Sequence, residues 1–158
     1  TVPNLEDVGR WLGAPSPDGI RPFGEEYRPV RLETKVLGYD PAKNDWMFER
    51  RLNERLYEVV LNHFQSKPAL VFCASRDGAS SAAKTLADRA KSTGRNPFIS
   101  GQGQVEALRE AAGRAENRQL KLLIPHGVAF HSASLDWSVP TLCESLFRDM
   151  LVTVMCST

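Results

Sequence analysis

The chain has 158 residues, 42% hydrophobic and 25% charged, which is the balance of one ordinary globular domain able to bury a core and excludes wholesale disorder. Its 20 basic and 19 acidic residues leave a net charge of +1, so no bulk field drives nucleic acid to the surface and any such contact has to come from local groups. Cys73, Cys143 and Cys156 are odd in number and far apart, which argues against a disulfide framework or a zinc site and favours free thiols in an intracellular reducing compartment; no apolar run reaches the length of a membrane helix.

In chain order, the first expected element is a helix capped by Asn4, with Glu6 and Asp7 in its first turn, an apolar face of Leu5, Val8 and Leu12, and Gly13 as its stop. Three prolines and Gly19 make residues 14–22 a loop. From Arg28 to Tyr39, Val30, Leu32, Thr34 and Val36 alternate with Arg31, Glu33, Lys35 and Leu37, a period that predicts a strand. Asp45 to His63 returns to helical spacing, with Leu52, Leu56, Val59 and Val60 on one face. The apolar run from Pro68 to Cys73 has the form of a parallel strand buried on both faces. A helix follows over Asp77–Thr93, its alanines permitting close approach to a sheet. Residues 96–104 read as a loop, Val105, Leu108, Ala112 and Ala115 as a helix, and Leu120 to Ile124 as a short apolar stretch. Val128 to Phe130 is an expected strand, Val139 to Met150 a strongly periodic helix, and Leu151 to Cys156 a last strand. Strands alternating with helices predict an α/β fold, a parallel sheet flanked by helices.

In open parallel sheets, ligands collect at the carboxyl ends of the strands, where loops gather and helix N-termini offer free amides. Three expected strand ends carry small polar groups: Ser75 and Arg76 after the first, His131 and Ser132 after the second, and Ser157 and Thr158 after the last. Together they suggest one extended line able to follow a nucleic-acid backbone through hydroxyls, amides and a guanidinium, which suits a near-zero net charge. Each residue also has an ordinary reading. Ser75 or Asp77 serves equally as a helix N-cap, and His131 as a hydrogen-bonded turn residue. His63, His126 and His131 lack metal-ligand spacing. Gly101-Gln102-Gly103 lacks the third glycine of a dinucleotide fingerprint, and no G-x-x-x-x-G-K-[ST] loop occurs.

Five segments in order resemble superfamily 2 helicases of the Ski-like/Brr-like/archaeal repair group. TVPNLEDVGRWLGA is similar to the stretch that leaves the S-A-T motif, and EEYRPVRL to the F/Y-R-P-V-x-L stretch opening the second RecA-like lobe. PALVFCASRDG resembles motif IV, GVAFHSASL the G-V-A-F-H-H-A-G-L motif, and ESLFRDMLVTVMCST the E-x-x-F-R-x-G-x-x-x-V-L-x-x-T-S-T run at motif V. NDWMFERRLNERL and FGEEYRPVRL are most similar to the meiotic crossover DNA helicase branch.

The resemblance implies a RecA-like helicase C-terminal lobe, incomplete. Residues 1–24 would be the end of the first-lobe motif with its helix and linker, and residues 25–158 the second lobe, cut within motif V. It implies that Thr1 belongs to the motif coupling hydrolysis to strand movement and that Arg28 lies at the join between lobes. Ser75, Arg76, His131, Ser132, Ser157 and Thr158 would line the track for the strand's phosphates. Ser132 and Ser134 stand where the family motif has histidine and glycine. The parent would be an ATP-dependent DNA helicase, using ATP and Mg2+ held outside this segment, which alone would be inactive and bind neither. Single-stranded and duplex DNA and meiotic recombination proteins would be its partners, in the nucleus and away from membranes. Two other readings stand beside it: an RNA helicase of the spliceosomal or RNA-decay branch, and a non-catalytic α/β interaction module.

Overall fold

A computed structural model describes residues 3–15, 18–64, 67–131 and 138–158. The chain divides into two compact units, Thr1–Gly38 and Tyr39–Thr158.

In the first unit, α1 spans Leu5–Trp11, with Glu6 and Asp7 at its positive end and Arg10 at its negative end. Asn4 occupies the cap position, but its side chain makes no capping hydrogen bond, contrary to expectation. Gly13 ends the helix in the left-handed conformation (φ +71°), and its amide donates to the Arg10 carbonyl. Gly9 is buried because the Ile20 side chain packs where a Cβ would stand.

The strand expected over Arg28–Tyr39 does not form. After a short 3-10 turn, Glu25–Tyr27, the chain bends at residues 29–30 and continues without regular structure, leaving Val30 76% and Val36 89% exposed. Alternation marks a segment able to lie flat on a core, but a strand also needs a neighbour to take its N–H and C=O groups. Among the described residues, none pairs with it.

The second unit holds the sheet. α2 is Asp45–Phe64, opened by Asn44, whose Oδ1 accepts from the Met47 amide at 2.8 Å. β1 (Ala69–Phe72) leads through α3 (Arg76–Ser92), α4 (Gln102–Arg114) and α5 (Arg118–Leu123) to β2 (Val128–His131). α6 (Ser138–Arg148) then leads to β3 (Val154–Ser157). All pairs are parallel and the order is β1-β3-β2, so the last strand of the chain is the central one. Residues 120–124, apolar but without strand pattern, belong to α5 and the 3-10 turn Ile124–His126 that follows it.

β1 is not buried on both faces, as its apolar run suggested. It is an edge strand whose alternate residues Leu70 and Phe72 are 51% and 78% exposed. An apolar run records what a strand is made of and not how many neighbours it has. The core lies beneath the other face, where Ala79, Ala82, Ala83 and Leu86 of α3 are fully buried. Their small side chains let the helix backbone approach the strands closely, as the alanine spacing predicted. Phe98 anchors the far side, packed edge-on against Tyr57 (6.1 Å between ring centroids) and Phe64 (5.7 Å).

Two backbone devices set the register of β2 and β3. Gly127 (φ +75°) precedes β2, and its carbonyl accepts from the amides of both Thr153 and Val154. The Thr153 hydroxyl donates to the Phe98 carbonyl at 3.0 Å. At the other turn, α6 closes on Met150, the one non-glycine residue with positive φ among those described (+56°); the amides of Leu151 and Val152 return to the Leu146 carbonyl. This closure consumes Leu151 and Val152, which is why β3 begins three residues later than expected.

Met150 stands where the motif V pattern has glycine. A left-handed L-residue costs roughly 1–2 kcal/mol, partly offset by the extra unfolded-state entropy of glycine. Met150→Gly is therefore expected to stabilise the chain by about 0.5–1 kcal/mol, seen as a higher urea midpoint with an unchanged slope.

Candidate nucleic-acid interface

The register places Phe72, Ser157 and His131 in one row at the carboxyl ends of the three strands. Neighbouring strands lie about 4.8 Å apart, so the row is a short, level ledge from which the connecting loops leave. Beyond β1 the chain turns through Ala74 and Ser75 into α3. Ser75 is the N-cap, with its Oγ accepting from the Gly78 amide at 3.0 Å and its carbonyl from the Ala79 amide at 2.9 Å. The capping reading of Ser75 thus describes its geometry. The amides of Arg76 and Asp77 belong to the same first turn, whose partial positive charge faces the ledge.

Ala74, Ser75, Arg76 and Asp77 share a shallow hollow of about 600 Å³ with Thr158, so the ends of β1 and β3 meet there. Arg76 and Asp77 are both exposed, giving the hollow one cation and one anion. It can offer a phosphate a guanidinium and helix amides, but no strong net field.

His131, at the end of β2, is half-buried, with Nε2 3.2 Å from Glu144 Oε1 on α6. Ser157 lies between it and the hollow, half-buried, its hydroxyl directed to the Thr158 carbonyl at 3.4 Å. Arg28, in the first unit, pairs with Glu25 at 3.2 Å. Thr1 and Ser132 lie outside the described residues, as does Ser134.

Several participants had no sequence signal. The carboxylate of Glu49 on α2 reaches over the first turn of α3 to the place where a Cβ of Gly78 would stand, so a larger residue there would displace the Glu49 carboxylate. Beside it, Trp46 is 67% exposed, with the Arg50 guanidinium 5.9 Å from its ring centre. Such a pair offers a flat stacking surface, its charge countered by Glu54 at 3.6 Å in the cleft between α2 and α3. Helical spacing groups Trp46, Glu49 and Arg50 on α2, and only non-local packing brings them to Gly78 and Asp77 of α3. The partner of His131, thirteen residues away in sequence, was equally hidden.

A thiol hydrogen bond between Cys73 and Cys156 pushes Cys156 far above the ordinary thiol range and lowers Cys73. Cys143, whose Sγ donates to the Phe130 carbonyl at 3.7 Å, is pushed up to about 11 by burial. All three cysteines are free, as expected. Among the described residues, no three His, Cys, Asp or Glu side chains converge as for a metal, and no helix is long and apolar enough to cross a membrane.

No family model matches the chain. Curated relatives do, along its whole length. It is 44% identical over 159 residues to an ATP-dependent DNA helicase MER3 homolog of Oryza sativa subsp. japonica, covering 100% of this chain and 13% of that protein. The Arabidopsis thaliana ATP-dependent DNA helicase homolog MER3 is also 44% identical over 159 residues, with 100% and 14% covered. The U5 small nuclear ribonucleoprotein 200 kDa helicase of Caenorhabditis elegans is 34% identical over 160 residues, with 100% and 7% covered. The chain thus spans a small part of the length of the relatives it matches, and the resemblance to Ski-like/Brr-like helicases read from its motifs is borne out.

Proposed function

From the premise that this chain is similar from end to end to MER3-type helicases, we propose that it is the strand-gripping part of the second lobe of an ATP-dependent DNA helicase. That helicase translocates on single-stranded DNA and unwinds duplexes during meiotic recombination in the nucleus. The observation that carries the reading is the coincidence of 44% identity over the whole chain with three parallel strand ends brought into one row. In this reading residues 1–24 leave the first lobe and residues 25–158 form the second. Arg28 sits at the join between lobes, Thr1 in the coupling motif, and ATP with Mg2+ is held by parts of the protein outside this chain.

The ledge acts by positioning. Arg76 and the α3 amides hold one phosphate, and His131, Ser132, Ser157 and Thr158 supply hydrogen bonds to its neighbours along the strand. With one exposed cation at the site, binding depends on salt only weakly, the slope being roughly −0.7 per phosphate neutralised on a single strand. No base edge is read, so sequence preference is low.

The 34% identity to the U5 helicase favours a second reading, an RNA helicase. The two separate when the protein containing this chain is given matched tailed duplexes of DNA and of RNA with ATP. Faster unwinding of the DNA duplex is expected. Preferential unwinding of RNA would replace the DNA reading with the spliceosomal one.

A further inference from the structure

Away from the strand ends, α3 and α5 enclose a second groove of about 600 Å³, running along α3 from Ser80 and Lys84 to Lys91. In a chain with a net charge of only +1, this groove collects Lys84, Lys91 and Arg118 against the single carboxylate of Asp88. The three cations are exposed, and among the described residues none forms an ion pair with a carboxylate. Elsewhere Arg10, Arg28, Arg50 and Arg55 each have a carboxylate within 3.6 Å. The groove's wall is Leu122, 68% exposed, rising from α5 beside Arg118.

We propose that this groove docks an acidic segment of a partner protein, an amphipathic helix that sets carboxylates against Lys84 and Lys91 and an apolar side chain against Leu122. Lys84 and Lys91 are seven residues apart on one helix, about 10 Å along its axis. Carboxylates at i and i+7 of a facing helix repeat at the same distance. Asp88 lies between the two lysines, where it interrupts a continuous phosphate backbone but not carboxylates placed two turns apart. Among the described residues no Phe, Tyr or Trp lines the groove and its one imidazole, His126, is half-buried, so a nucleic-acid strand finds little stacking surface, whereas Leu122 gives a peptide side chain apolar contact.

His126, half-buried at the end of the groove, reports on this field. Burial lowers its pKa and Lys91 lowers it further, against the opposing pull of Asp88. A carboxylate docked on Lys91 offsets that cation and moves the His126 titration upward.

The test is fluorescence anisotropy of the 158-residue chain with a labelled amphipathic peptide carrying glutamates seven residues apart and leucines on the adjoining face. A scrambled peptide and a short oligothymidylate serve as comparators. Binding of the ordered peptide is expected, weakened about tenfold or more by Lys84→Glu with Lys91→Glu and severalfold by Leu122→Ser. The His126 ring resonances, followed by NMR, should titrate at higher pH with the peptide bound. Failure of the ordered peptide to bind more tightly than the scrambled one would overturn the proposal, as would indifference to charge reversal. So would oligothymidylate binding that equals the peptide's and ignores Leu122→Ser, since the groove would then be a general polyanion surface.

Discussion

Gly127→Ala is expected to destabilise the chain by about 3 kcal/mol, lowering its thermal midpoint by roughly 10 °C. Two costs combine. The residue holds φ at +75°, where an L side chain is strained by roughly 1–2 kcal/mol. A Cβ there would also stand 2.7 Å from the carbonyl oxygen of Phe98, a backbone atom that cannot swing aside. Shifting Phe98 disturbs the acceptor of the Thr153 hydroxyl, and shifting Gly127 disturbs the carbonyl shared by Thr153 and Val154. Gly94 is the internal comparison: its φ is +74°, but no atom lies within 4 Å of its virtual Cβ. Gly94→Ala should lose only the conformational part, about 1 kcal/mol. Equal midpoints for the two variants in thermal melts would refute the role given to the Phe98 contact.

The second large effect concerns strand binding. Arg76→Ala removes the one cation of the hollow at the end of β1, and His131→Ala removes the polar group at the end of β2. A charge-assisted hydrogen bond contributes about 1.5–3 kcal/mol, so Arg76→Ala should weaken oligothymidylate binding ten- to a hundredfold at low salt and flatten the salt dependence. In the protein that also carries the ATP-binding lobe, the double variant should lose strand-stimulated ATPase and unwinding together. Unwinding at the unaltered rate would instead favour a non-catalytic interaction module. Ser75→Ala is a poorer probe, because Ser75 caps α3 and its loss costs stability at the same time.

Features determined by near neighbours were legible in the sequence. The alanine spacing of α3, the apolar stripe of α2 and the β2–α6–β3 order could be read because helical period and strand alternation are local. What depended on distant partners was not. Residues 28–39 have a strand's alternation but, among the described residues, no partner to ladder with, and ALVF has a buried strand's composition at a sheet edge. The polar residues after each strand could be listed, and parallel topology then implied a line. The same letters could not show that the Ser75 hydroxyl is engaged by its own helix, that Glu144 faces His131, or that Glu49 covers the mouth of α3. Met150 is an intermediate case. Its position in a glycine-bearing motif was visible, but the left-handed turn that makes it costly was not.

The edge position of β1 bears on handling the chain in solution. The amides of Ala69 and Cys73 donate to β3, so by alternation those of Leu70 and Phe72 point outward, beside two exposed apolar side chains. An open edge without an inward charge or bulge is a template for another copy's strand, and self-association through it would compete with any binding measurement at high concentration. A lysine at Phe72 would be a natural gatekeeper, but Phe72 shares the strand-end row with Ser157 and His131. Leu70, one step back from that row, is the better position for the charge.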